Sequence, residues 1–174
     1  MSSDMLTLLL VSTALPVCGP AADIAYREGA PTDTITLINS GDPAWQITGA
    51  EILLGPSAGR LIFDTLPGGP GTQVSQPFRP GAGEAALADI PVIADGAESL
   101  TLQFAAFPAG ARFAFTTDLD DRVSGAQAGT MISGAEIAGA QVTVSFAHPS
   151  GAEESHSGAF DAQAEARAAA PCLS

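Results

Sequence analysis

Residues Arg112 to Phe146 read RFAFTTDLDDRVSGAQAGTMISGAEIAGAQVTVSF, a knot of carboxylates and small residues held between two strand-like runs. In the first run Phe113 and Phe115 alternate with Ala114 and Thr116. In the second, Val142, Val144 and Phe146 alternate with Gln141, Thr143 and Ser145. A period of two is the signature of strands with one face in a core and the other in water. Asp118, Asp120 and Asp121 lie between the runs.

The same period recurs on the N-terminal side. Ile35 and Leu37 face away from Thr34 and Thr36, and Asn39 to Pro43 reads as a turn. Between Trp45 and Leu54 the apolar phase switches, which predicts a bulge at Gly49-Ala50. Leu61 and Phe63 carry a strand that ends at Pro67-Gly-Gly-Pro-Gly71, and a further turn is expected at Arg79 to Gly83. Leu100, Leu102 and Phe104 alternate with Ser99, Thr101 and Gln103. Near the C-terminus Phe160, Ala162, Ala164, Ala166 and Ala168 alternate strictly with polar residues. Composition there favours helix, but the period and the nearby Pro171 favour strand. Short strands with a turn signal about every ten residues predict an all-β fold, a single antiparallel β-sandwich of Greek-key or jelly-roll type.

The chain of 174 residues is long enough to bury a core of its own. All six basic residues are Arg, and 19 acidic residues bring the net charge to −13. Such a surface repels phosphate backbones and anionic headgroups, so neither nucleic acid nor membrane surface is an expected partner. Cations are the natural counter-partners.

Residues 5–17 form an apolar run followed by the small residues Gly19, Ala21 and Ala22, as in a secretory signal. It is too short to span a bilayer. The expected organisation is a signal segment over residues 1–22 and the β-sandwich over 23–174, placing the mature protein in the periplasm or outside the cell. Cys18 and Cys172 lie near the two ends. Cleavage after Ala21 or Ala22 discards Cys18, whereas cleavage after Ala14 keeps it and permits a disulfide.

Candidate sites are few. Asp118 and Asp120 share a phase at a strand end, where carboxylates and backbone carbonyls supply the oxygen ligands that Ca²⁺ takes. Asp121 and Glu136 complete the expected metal set of Asp118, Asp120, Asp121 and Glu136. Asp64 and Asp161, each following a Phe, join it only if the fold brings them near. The run is not an EF-hand loop, because Arg122, Val123 and Gly129 stand where ligands and glycine are required. The competing reading is an acidic strand end that caps turns and protects an edge. Gly55-Pro-Ser-Ala-Gly59 matches the nucleophile-elbow pattern, but that motif works on a turn from strand into helix, and here a strand follows. His148 and His156 flank an expected hairpin without a third firm ligand for a transition metal.

Phe63-Asp64-Thr65, Gln76-Pro77-Phe78, Phe115-x-x-Asp118-x-Asp120-Asp121 and Ile132-Ser-Gly-Ala-Glu-Ile-Ala-Gly-Ala140 resemble a group of small exported bacterial proteins named after the core protein of the sponge aggregation factor. The resemblance covers about Asp23 to Cys172. It implies an extracellular adhesion or aggregation role, with Ca²⁺-assisted recognition of glycans or proteins. Taken together, the expectation is a secreted, non-catalytic binding module without a cofactor other than Ca²⁺. The alternatives are a self-associating structural subunit of an envelope or surface assembly, and, behind it, a serine hydrolase using Ser57.

Overall fold

The computed structural model describes residues 19–72, 74–121 and 133–172. The apolar run of the expected signal, Cys18, and the positions Arg122, Val123 and Gly129 lie outside the described residues. Among the described residues the first strand is β1 (Ala21–Arg27), which turns into β2 (Asp33–Asn39). There follow β3 (Gln46–Leu53), β4 (Leu61–Phe63) and the two-residue β5 (Arg79–Pro80). Next come β6 (Ser99–Gln103), β7 (Arg112–Thr117) and β8 (Leu119–Asp121). After the single-turn helix α1 (Gly134–Ile137), β9 (Gln141–Ala147), β10 (Glu153–Ala159) and β11 (Glu165–Ala169) close the fold.

Two antiparallel sheets form a β-sandwich, in the order β11-β1-β2-β7-β5 and β10-β9-β3-β6, with β4 and β8 as a separate two-stranded ribbon. The alternating side chains explain the layers. Ile35 and Leu37 from one sheet and Ile52, Leu100, Leu102, Val142, Val144 and Phe146 from the other enter one core. Threonines and serines of the intervening phase face out. Phe104, just after β6, meets Phe113 of β7 edge-on with ring centroids 5.3 Å apart, so aromatic contact bridges the two sheets. Burying a side chain of this size contributes about 1.5–3 kcal/mol.

The expected bulge is present one step earlier than Gly49-Ala50, as a register shift between Ile47 and Gly49 against β9. The extra residue, Thr48, moves the apolar phase from Ile47 to Ala50 and Ile52. Of the turn expected at Arg79 to Gly83, Arg79 and Pro80 pair with the edge of β7 as β5, and the chain then turns over Ala82 and Gly83 into a 3-10 turn at Glu84–Ala86. The C-terminal alternation holds only from Ala164. Asp161 accepts from the amides of Gln163 and Glu165, making a turn that leaves Ala162 exposed.

The first strand starts two residues before the expected domain boundary at Asp23. Ala21 and Ala22 are buried and paired with Ala169 and Ala168 of β11. The amide of Ala170 donates to the carbonyl of Pro20 at 3.0 Å, so the chain lies side by side with its own C-terminal strand from that point. Cys172 is disulfide-bonded, and the sequence holds one other cysteine, Cys18. Among the described residues, no helix is long and apolar enough to cross a membrane.

Candidate carboxylate site

The ribbon of β4 and β8 pairs Phe63 with Leu119, Ile62 with Asp120 and Leu61 with Asp121. One step beyond the ribbon the same register sets Asp64 opposite Asp118, where the amide of Asp64 donates to the carbonyl of Asp118 at 3.0 Å. The amide of Asp118 donates to Gln76, and the amide of Gln76 donates back to Asp64, at 3.2 and 3.1 Å. A closed cycle of three backbone hydrogen bonds thus fixes the two aspartates against each other. Alternation puts Asp120 in the phase of Asp118, and hence diagonal to Asp64.

These carboxylates are scarcely neutralised. Asp64 is 0% exposed, and neither of its carboxylate oxygens has a hydrogen-bond partner. Asp120 is 1% exposed, but its Oδ2 accepts the Thr72 amide at 2.8 Å and its Oδ1 accepts the Asp121 amide at 2.9 Å. Burial pushes the Asp64 carboxyl up to about 6, helped by the charges of Asp95 and Asp120 against a weaker pull from the nearby Thr72 amide. Burial, followed by the charges of Asp33, Asp64 and Asp120, pushes Asp118 up to about 7. The Asp121 carboxyl is also raised, by burial first and then by Asp120.

Two further aspartates frame the group. Asp33, at the start of β2, accepts from the amide of Leu119 at 3.0 Å and that of Gly29 at 3.1 Å, tying β2 to β8. Its carboxyl is raised by burial even so, against the pull of these amides and of the Tyr26 side chain. Asp95 accepts from the amides of Thr65 at 2.9 Å and Leu66 at 3.1 Å. The strap of residues 67–72 then runs over the carboxylates, and only glycine allows it. A β-carbon at Gly69 would overlap the Asp95 carboxylate, and one at Gly71 would overlap Asp64 Oδ2.

The expected metal set therefore divides. Asp118 and Asp120 lie together with Asp64. Asp121 is out of phase with them, though its carboxyl still feels Asp120 and Glu136. Glu136 is committed elsewhere: its Oε2 accepts from the amide and the hydroxyl of Ser133, at 2.7 and 2.8 Å, in the capping box that starts α1. Asp161 is likewise occupied with its own turn. The oxygens of Asp64, Asp118 and Asp120 are of the hard type that suits Ca²⁺. They do not yet converge: among the described residues no group of three or more His, Cys, Asp or Glu is placed to hold a metal ion.

Ser57 is 4% exposed, and its Oγ accepts the Leu61 amide at 2.9 Å, which closes the turn into β4. The hydroxyl serves the backbone, and no helix follows. His148 and His156 sit on either side of the β9–β10 hairpin as expected. His148 Nδ1 is 2.7 Å from Ser150 Oγ, and His156 Nε2 is 2.8 Å from Glu154. Sequence reasoning passed over Asp33, although it stands in the inward phase of Ile35 and Leu37, and Asp95, which no strand period marks. Compared with known protein families, curated proteins and solved structures, the chain has no match.

Proposed function

We propose that the protein is an exported, non-catalytic β-sandwich module for binding and adhesion, in which Ca²⁺ assists recognition of a glycan or a surface protein. The observation that carries this reading is Asp64, a fully buried carboxylate with both oxygens unpartnered, set beside Asp118 and Asp120 in a chain of net charge −13. Buried carboxylates without partners are costly unless a cation or a proton joins them. They lie at the β4–β8 ribbon beside the 67–72 strap, outside both sheets of the sandwich, where the half-buried Asp118 gives the group its access to solvent. The disulfide at Cys172 fits an oxidising compartment. The closed-off hydroxyl of Ser57 fits a role without hydrolysis, and the resemblance of the Phe115 to Asp121 stretch to aggregation-factor-like exported proteins points the same way.

Beads coated with the full chain test the reading. They are expected to cluster on glycan-bearing or bacterial surfaces in about 10 mM Ca²⁺ and to disperse on chelation. Beads that never adhere in either condition overturn it. Assembly of the protein alone, rising with concentration and indifferent to Ca²⁺, favours the structural subunit instead.

A further inference from the structure

We infer that residues 89–94 form a loop that docks in the active-site cleft of a serine endopeptidase as a substrate mimic, with Val92 in a specificity pocket made for small aliphatic side chains, so that the protein inhibits enzymes of that class. The inference rests neither on Ca²⁺ nor on Asp64, Asp118 and Asp120, and it stands or falls apart from adhesion.

The stretch Asp89-Ile90-Pro91-Val92-Ile93-Ala94 lies between the 3-10 turn at Glu84–Ala86 and β6. Its side chains alternate. Ile90 is 59% and Val92 99% exposed, whereas Pro91 and Ile93 are half-buried and Ile93 packs against the core. That period of two belongs to extended chain. Pro91 enforces it, because its ring fixes its own φ and keeps the preceding residue extended. Among the described residues, none donates to or accepts from the backbone of residues 89–93. The segment therefore has the shape of a strand, an open row of donors and acceptors, and a valine almost wholly in solvent.

Both ends are tied down. The amide of Ala88 donates to the carbonyl of Gln103, the last residue of β6, at 2.9 Å. At the other end Asp95 accepts from the amides of Thr65 and Leu66, and the amide of Gly96 donates to the carbonyl of Phe63 at 2.9 Å. The amide of Phe63 in turn donates to Ala97 at 2.8 Å. An extended segment held between two such anchors has little freedom left to lose on binding. Preorganisation of this kind raises affinity, and it is why the backbone in protease–inhibitor complexes moves little.

A peptidase cleft takes its ligand as an added strand, in which backbone hydrogen bonds give affinity and pockets for alternate side chains give specificity. Alternate residues of a strand turn their amides and carbonyls to the same side. Ile90 and Val92 can thus bond to the enzyme while Pro91, between them, faces away, and its missing N–H costs nothing. The pocket for the residue before the scissile bond is acidic in trypsin, a large apolar slot in chymotrypsin and small in elastase. Residues 80–111 hold no Arg or Lys, and residues 89–94 no aromatic, so Val92 suits the small pocket. A second copy of the chain is the rival occupant of an open edge, and Pro91 and Asp89 oppose it: proline interrupts a continuous ladder, and charged edge residues discourage pairing.

The test is hydrolysis of a small chromogenic peptide by pancreatic elastase in the presence of the full chain, with trypsin and chymotrypsin as controls. Competitive inhibition of elastase is expected, half-maximal at about 1 μM or below, with the chain recovered uncut and the controls much less affected. Val92→Asp should weaken the inhibition by about tenfold or more, and Val92→Arg should transfer it from elastase to trypsin. Because Val92 lies almost wholly in solvent, both variants should melt with the parent. An uninhibited elastase overturns the proposal, as do rapid cleavage of the chain after Val92 and inhibition that survives both substitutions. Dimers that Val92→Asp disperses, with elastase uninhibited, assign the open edge to a second copy instead.

Discussion

Replacing Asp64 with Asn is expected to stabilise this protein in the presence of chelator, the reverse of the usual outcome for a change at a fully buried polar residue. The carboxylate is 0% exposed, its oxygens are unpartnered, and its carboxyl titrates at about 6. Relative to an ordinary aspartate, that displacement means that the ionised form costs the folded state about 3 kcal/mol at pH 8. Solvent reaching the half-buried neighbours reduces the recoverable part to about 1–3 kcal/mol. In a domain of this length the gain corresponds to roughly 3–10 °C in melting temperature. The sign follows from linkage. A carboxyl raised by folding binds its proton more tightly in the native state, so its stability contribution is complete below the unfolded value of about 3.9 and is lost as the pH rises through about 6. The advantage of Asp64→Asn should therefore be largest at pH 8, about half as large at pH 5 and small near pH 4. Melting curves at those three values in chelator read it directly. A variant less stable than the parent at pH 8 would refute the reasoning, as would a gain that does not change with pH, since either result means that Asp64 is held by something other than its neighbours' charges.

Two further outcomes follow from the packing. Ser57→Ala should cost about 1–3 kcal/mol in urea unfolding, because it leaves the buried amide of Leu61 without its acceptor, and any esterase activity in the preparation should be unchanged; loss of activity with stability intact would instead restore the nucleophile. Cys172→Ser should lower stability by roughly 2–5 kcal/mol, since it removes the disulfide at Cys172, and a strong reductant should have no further effect on that variant.

The sandwich was legible wherever one face of a strand meets the core. Leu100, Leu102 and Phe104, or Val142, Val144 and Phe146, announce both the strand and its inward side, and every one of them is buried. The signal weakened where burial is not one-sided. Leu61, Ile62 and Phe63 of β4 are all buried, so no alternation marks the ribbon. The short β8 reads simply as an acidic strand end. Helix α1 left one trace that was not used, the Ser133-x-x-Glu136 spacing of a capping box. That spacing ties the Glu136 carboxylate to the start of α1, while its charge still reaches Asp121. Asp64 was visible only as a residue after a Phe, because its partner lies far along the chain and pairing across such distances leaves no local pattern.

The contrast between the sheets and the ribbon bears on function. Along most of the two sheets, local pattern and global fold agree, with apolar residues inward and hydroxyls outward, Asp33, Asn39 and Thr117 being buried at strand ends. On the ribbon they conflict: Asp64 and Asp118 are set directly opposite, held there by three backbone hydrogen bonds that bring like charges together. A sequence free to optimise stability alone would place a Thr or an Asn at either position, and nothing in the backbone cycle requires a carboxylate. Asp33 and Asp95 do have structural work, each accepting two amides. Asp64 has none. Where a fold is otherwise consistent, a local arrangement that lowers stability without structural return marks a candidate for function, and the two opposed carboxylates, with a third diagonal to them, are that arrangement here.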